Sequence, residues 1–174
     1  MTNQPISQIT LPGGVTLRPG DALIYGPSDL LGWLICVKTW SWDACHIEVY
    51  AGEGQSVASR NGIGVRKSDF RREQLAYVAR PNEPFMSADA LRWFEGVNGQ
   101  AYDWKGLLCF TLAVRQGSPN KMFCSEFATR FYRHAMIDAV NPKWDADKVA
   151  PGNFLMSPAF DWIWENKQPT PSPG

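Results

Sequence analysis

Apolar and polar residues change their period several times along the 174-residue chain, and each change marks an element. The turn pair Pro19-Gly20 leads into a short apolar run, Asp21 to Tyr25, which reads as a strand ended by Gly26-Pro27. Ser28 or Asp29 can cap a helix to about Lys38, with Leu30, Leu31, Leu34, Ile35 and Val37 as a broad apolar side. Cys45 to Ala51 is rich in β-branched and aromatic residues, and Gly52-Glu53-Gly54 turns it back into Gln55 to Ser59, which predicts a hairpin. A further turn, Asn61-Gly62, precedes Ile63 to Arg66, and Leu75 to Ala79 is another strand closed by Pro81. The period then becomes helical. Helices are expected from Ser87 to about Val97, from Trp104 to Val114 and from Phe123 to about Ile137, with a last short helix near Pro158.

A helix, then consecutive strands, then several helices predicts an α+β fold in which an antiparallel sheet packs against helices, rather than a parallel βαβ sheet. The length fits one domain over residues 1–166, with an irregular N-terminal arm over 1–18. The closing residues QPTPSPG predict a disordered tail over 167–174.

Charge removes several partners. Seventeen basic residues balance seventeen acidic ones and none are clustered, so no field exists to attract a nucleic-acid backbone or an anionic membrane. No apolar run approaches the roughly 18 residues of a spanning helix, so the chain is not expected to span a membrane. The start, MTNQPISQITLPGG, has neither a basic nor an apolar stretch, which predicts no secretory signal and a cytoplasmic product as synthesised. A reducing cytoplasm would keep the four cysteines, at 36, 45, 109 and 124, as free thiols. Their spacing contains no CxxC pair, so no metal site is expected.

With only two histidines, His46 and His134, each can be tested as a base against each thiol. His134 lies ten residues beyond Cys124 on one predicted helix, about 15 Å along its axis at 1.5 Å per residue, too far to serve that thiol. His134 reads as a surface residue whose positive charge suits a helix end. Cys45 and His46 are neighbours on a strand and point to opposite faces. Cys36 and Cys109, within LLGWLICV and GLLCFTLAV, read as packing.

Cys124 follows the loop Gln116 to Asn120, in or near the first turns of the Phe123 helix. A helix N-terminus favours thiolate, and its unpaired N–H groups can hold an oxyanion. If Ser118 and Pro119 cap that helix instead, Cys124 lies nearly two turns inside, where the dipole has faded; the sequence leaves both starts open. His46 opens a strand, and its i+2 neighbour Glu48 shares its face, so a carboxylate can orient the imidazole. Thiolate, base and orienting group are the constellation for acyl transfer from amides or esters. Each also has a plain reading. Cys124, Ala128, Phe131 and Ala135 share one helix face, and a buried cysteine packs well there. His46 equally suits a sheet histidine, and Trp40 and Trp42 suit core or rim positions.

Taken in order, PGDALIYG at Pro19 to Gly26, HIEVYAGEGQSVAS at His46 to Ser59, GQAYDW at Gly99 to Trp104, FCSEF at Phe123 to Phe127 and PGNFLMSP at Pro151 to Pro158 resemble the circularly permuted NlpC-like papain-fold cysteine hydrolases, relatives of the lecithin:retinol acyltransferase group. The likeness lies in the order, with the His-bearing strand before the Cys-bearing helix. It implies a permuted papain-like catalytic domain, Cys124 as nucleophile, His46 as base, no cofactor, and cell-wall (peptidoglycan) peptides cut by an endopeptidase or amidase. Without a signal, such a protein would reach the wall by a non-classical route. Trp42, Asp43 and Tyr102 are the expected substrate-binding residues. The family's third polar group falls at Ala58, which cannot orient an imidazole; Glu48 is preferred in its place, with Ser59, Asn61 or a plain Cys-His dyad as alternatives. On the same site, a lipid-directed thioesterase or acyltransferase and a catalytically silent binding module are the competing expectations. The oligomeric state is not encoded in any motif.

Overall fold

The computed structural model describes residues 8–27, 44–111 and 120–167, with the side chains of 108–111 also outside the description. The predicted helix from Ser28 or Asp29, Cys36, Trp40, Trp42, Asp43, the Ser118-Pro119 pair and the 168–174 tail lie outside these residues.

The chain is α+β. Its strands are β1 (Ala22–Tyr25), β2 (His46–Gly52), β3 (Gln55–Arg60), β4 (Gly64–Asp69) and β5 (Leu75–Pro81), followed by helix α1 (Ser87–Val97). Then come β6 (Ala101–Tyr102), α2 (Trp104–Thr111), β7 (Lys121–Met122), α3 (Cys124–His134), a short α4 (Pro151–Leu155) and β8 (Phe160–Glu165). Six strands form one sheet in the order β4-β3-β2-β1-β5-β8, every neighbouring pair antiparallel, and β6 pairs with β7 in a separate parallel ribbon. No helix among the described residues is long and apolar enough to cross a membrane.

Strand alternation divides the buried residues between two faces. Ala22, Ile24, Ile47, Val49 and Val57 join the helix-side core with Phe94 of α1 and with Phe127 and Phe131 of α3. Leu23, Tyr25, Tyr50, Leu75 and Val78 form the opposite core, closed by Leu11 and Leu17 of the N-terminal arm. Fully burying each of these large side chains contributes roughly 1.5–3 kcal/mol. Within the described part of the arm, from residue 8 on, Thr10 and Thr16 bridge, Leu17 N–H donates to Ile9 O, and the Trp164 indole donates to Pro12 O.

Two expectations change. The helix near Pro158 is instead β8, whose Asp161-Trp162-Ile163-Trp164 run satisfies its backbone by pairing with β5. The two-residue strands β6 and β7 are too short to carry any periodicity. Gly64 lets β6 approach β4: its φ is +83°, and a Cβ there would strike the Gln100 carbonyl, beside the Val65 N–H bond to that oxygen.

Candidate active site

Cys124 is the first residue of α3. Phe123 precedes it in extended conformation, with φ −92° and ψ 173°, and its carbonyl accepts the Phe127 N–H that closes the first turn. The two-turn displacement allowed by a Ser118-Pro119 cap is therefore overturned. The β6–β7 ribbon runs straight into the helix, because Ala101 pairs with Lys121 and Tyr102 with Met122. Two hydroxyls clamp this start. Ser59 on β3 donates to Met122 O at 2.5 Å, and Ser125 donates to Val149 O at 2.6 Å. Cys124 thus sits among the unpaired N–H groups of a helix N-terminus, buried to 3% exposure and free of any disulfide.

His46 opens β2 opposite Tyr25, whose ring packs at 5.9 Å from the imidazole. Its Nε2 lies 3.1 Å from Glu48 Oε1, and the imidazole is hydrogen-bonded to Cys124. Nδ1 is the nitrogen left for the thiol. Burial works against charge on this ring, but the negative charge and hydrogen bond of Cys124, with further help from Glu48, outweigh it and hold the pKa up to about 9. The ring remains partly open, at 21% side-chain exposure.

Glu48 is fully buried and saturated with donors. Arg60 grips it with both arms, Nε to Oε1 at 2.9 Å and Nη2 to Oε2 at 2.8 Å. Arg71 Nη2 donates to Oε1 at 2.9 Å and the Ser56 hydroxyl to Oε2 at 2.5 Å. Burial pushes its pKa up, yet the hydrogen bond and charge of His46, then those of Arg60, hold it far below the usual carboxylate range. The register explains Ala58. Extending the Val49↔Val57 pairing sets Ala58 opposite Glu48 and Arg60 opposite His46. The methyl of Ala58 leaves room for a carboxylate that reaches across the strands, so the orienting group stands on β2 instead of β3. Ser59 points to the other face toward Met122, and Asn61 lies in an exposed turn.

Tyr102 is buried with Leu107 and Phe123, one residue before Cys124, and meets Trp104 edge to face at 5.2 Å. Trp42 and Asp43 lie outside the described residues. His134 ends α3, exposed, stacked on Trp93 at 5.0 Å and far from the thiol. Cys45 departs from the free-thiol expectation: it is disulfide-bonded, with its partner sulfur outside the described side chains. This closes a covalent tie one residue before His46.

The structure brings together Cys124, His46 and Glu48, which the sequence singled out, and adds Ser56, Arg60 and Arg71, which it did not. Strand parity places Ser56 and Arg60 on the Glu48 face and was the available signal for both; Arg71 comes from the β4–β5 loop, where no period operates. Among the described residues, no group of three or more His, Cys, Asp or Glu side chains is arranged to hold a metal ion. Compared with protein-family models and with curated proteins, the chain matches none.

Proposed function

We propose that this chain is a cysteine hydrolase of the permuted papain-like, NlpC-like type, cleaving an amide bond through a Cys124 acyl-enzyme, with cell-wall peptides as its substrate class. One observation carries the reading: the continuous relay Cys124–His46–Glu48, with the sulfur at a helix N-terminus. The order of the His strand before the Cys helix in a single α+β arrangement supports it further. The Glu48 bond to His46 fills the gap that Ala58 leaves, which removes the main reason to regard the site as silent.

The chemistry follows from the geometry. His46 Nδ1 takes the Cys124 proton, and the thiolate attacks the carbonyl carbon. The Cys124 N–H and a second first-turn N–H stabilise the tetrahedral oxyanion. His46, held protonated at neutral pH, gives its proton to the departing amine. Water, deprotonated by His46, then attacks the thioester, and the carboxylic acid leaves as the thiol is restored. The disulfide at Cys45 fits work outside a reducing compartment.

The test is the pH dependence of alkylation by iodoacetamide, with the modified cysteine mapped by mass spectrometry, in wild type and His46→Ala, followed by assay of amine release from cell-wall fragments. Fast modification of Cys124 well below the free-thiol pKa of about 8.5, lost in His46→Ala, is expected. Equal, slow rates in both proteins would end the enzyme reading. Release of fatty acyl groups with no peptide amines would move the substrate to lipids.

A further inference from the structure

The Glu48 cluster carries one cation too many. Arg60 alone supplies a bidentate pair, which already satisfies the charge and geometry of one carboxylate. Arg71 adds a second guanidinium through a single bond to Oε1, the same oxygen that faces His46 Nε2. The two arginines are not equivalent. The Arg60 side chain is 15% exposed and that of Arg71 42% exposed, so Arg71 is the outer member. Among the described residues it spends one of its five N–H donors on Glu48, while its buried Nε has no partner.

This outer guanidinium is also held in place. Its Cζ lies 5.0 Å above the ring centroid of Tyr25, the ring that packs against His46. The Tyr25 hydroxyl donates to the Arg71 carbonyl at 3.0 Å, fixing the loop that delivers the side chain. A cation that merely oriented Glu48 would duplicate Arg60 and would have no reason to stand half in solvent with donors that no described residue takes up.

We infer that Arg71 is a substrate-recognition residue that binds a carboxylate on the substrate, close to the scissile carbonyl. The inference deepens the hydrolase reading and rests on it. A planar guanidinium with donors unused among the described residues, preorganised on an aromatic face and one carboxylate away from the base, suits bidentate capture of such a group.

Cys124 itself reports on this. Rates of alkylation by iodoacetate and by iodoacetamide, which differ in one negative charge, are measured at low salt for wild type, Arg71→Gln and Arg71→Lys. The iodoacetate-to-iodoacetamide ratio is expected to fall roughly tenfold in Arg71→Gln and to stay within about twofold of wild type in Arg71→Lys, because a fixed cation concentrates an anionic reagent. A ratio equal in all three proteins, with both rates falling together in Arg71→Gln, would reduce Arg71 to a support for Glu48 and overturn the inference. Failure of iodoacetamide to modify Cys124 in the wild type would sink the hydrolase reading and this inference with it, and is distinguishable because it needs no variant. Protection of Cys124 from iodoacetamide by acetate, and not by inorganic phosphate, is expected for a carboxylate site; the reverse order would reassign the ligand to phosphate esters and overturn the carboxylate.

Discussion

Two buried glutamates, Glu48 on β2 and Glu126 in the first turn of α3, have their pKa values shifted in opposite directions for reasons that lie in their neighbours. Both lose hydration on folding. Glu48 meets two guanidiniums, an imidazole and a hydroxyl, and stays charged. Among the described residues, the ion-pair partner of Glu126 is Arg130, at 2.7 Å and itself 46% exposed. Burial pushes the Glu126 pKa up, Arg130 pulls it back in part, and Asp147 and Asp103 push it further, to about 7. Burial alone therefore does not decide ionisation; the count and charge of the donors do. Glu48 is a fixed anion on which an imidazole can be mounted, while Glu126, two residues past Cys124, titrates.

The sharpest way to break this comparison is to remove the fixed anion. Glu48→Ala leaves the largely buried Arg60 guanidinium without its carboxylate beside a histidine, and losing one partner of a buried pair costs about 3–5 kcal/mol. Denaturant unfolding should show that loss, and kcat/KM should fall by about two orders of magnitude or more as His46 loses its orientation. Glu48→Gln keeps the shape and the acceptor oxygen, so it should fold better than the alanine variant and still show impaired turnover. Full activity in Glu48→Gln would mean that the charge is dispensable and the site works as a dyad.

His46 sharpens the same point through pH. Its pKa near 9 reflects the negative charge of Cys124 and, more weakly, of Glu48. As general acid it must be protonated, so kcat/KM should hold across neutral pH and fall above pH 9, approaching tenfold per unit. An alkaline limb near the ordinary histidine value of about 6.5 would show that Cys124 and Glu48 together do not hold the imidazole charged.

Glu126 should respond in the opposite sense to Glu48. The folded chain keeps its proton between pH 4.5 and about 7, where the unfolded chain has released it, so stability is fullest below 4.5 and falls as pH rises through that window. Glu126→Gln removes the penalty. At pH 8 it should be more stable than wild type by on the order of 2 kcal/mol, and at pH 4 indistinguishable, as read from urea midpoints at both pH values. Loss of the half-exposed Arg130 pair subtracts less than about 1 kcal/mol.

The same contrast marks how far the sequence could be read. Glu48 was legible because an i+2 spacing on a strand places two side chains on one face, and the β2–β3 hairpin and the apolar face of α3 were legible for the same local reason. The environment of Glu126 was not, because Asp103 and Asp147 reach it through tertiary packing from segments 23 and 21 residues away. Arg71 was hidden likewise, its partner lying 23 residues back. The start of α3 required knowing that Lys121–Met122 pairs with Ala101–Tyr102, and β8 required knowing that β5 had a free edge. Periodicity reports which face a residue takes; it carries no record of what the rest of the chain brings to that face.

The mildest perturbation peels one donor from the fixed anion. Ser56→Ala deletes the hydroxyl on Glu48 Oε2 and leaves Arg60 Nη2 on that oxygen, so the destabilisation should be about 1–2 kcal/mol. Oε1, the atom that faces His46, keeps its bonds from Arg60 and Arg71. Activity should then change by less than about threefold, since about 0.6 kcal/mol of misalignment is all that such a factor represents. A loss of kcat/KM tenfold or larger in a protein that still melts cooperatively would mean that the carboxylate pivots about Oε2, and that Ser56, rather than the arginines, sets the angle at which Glu48 meets the base.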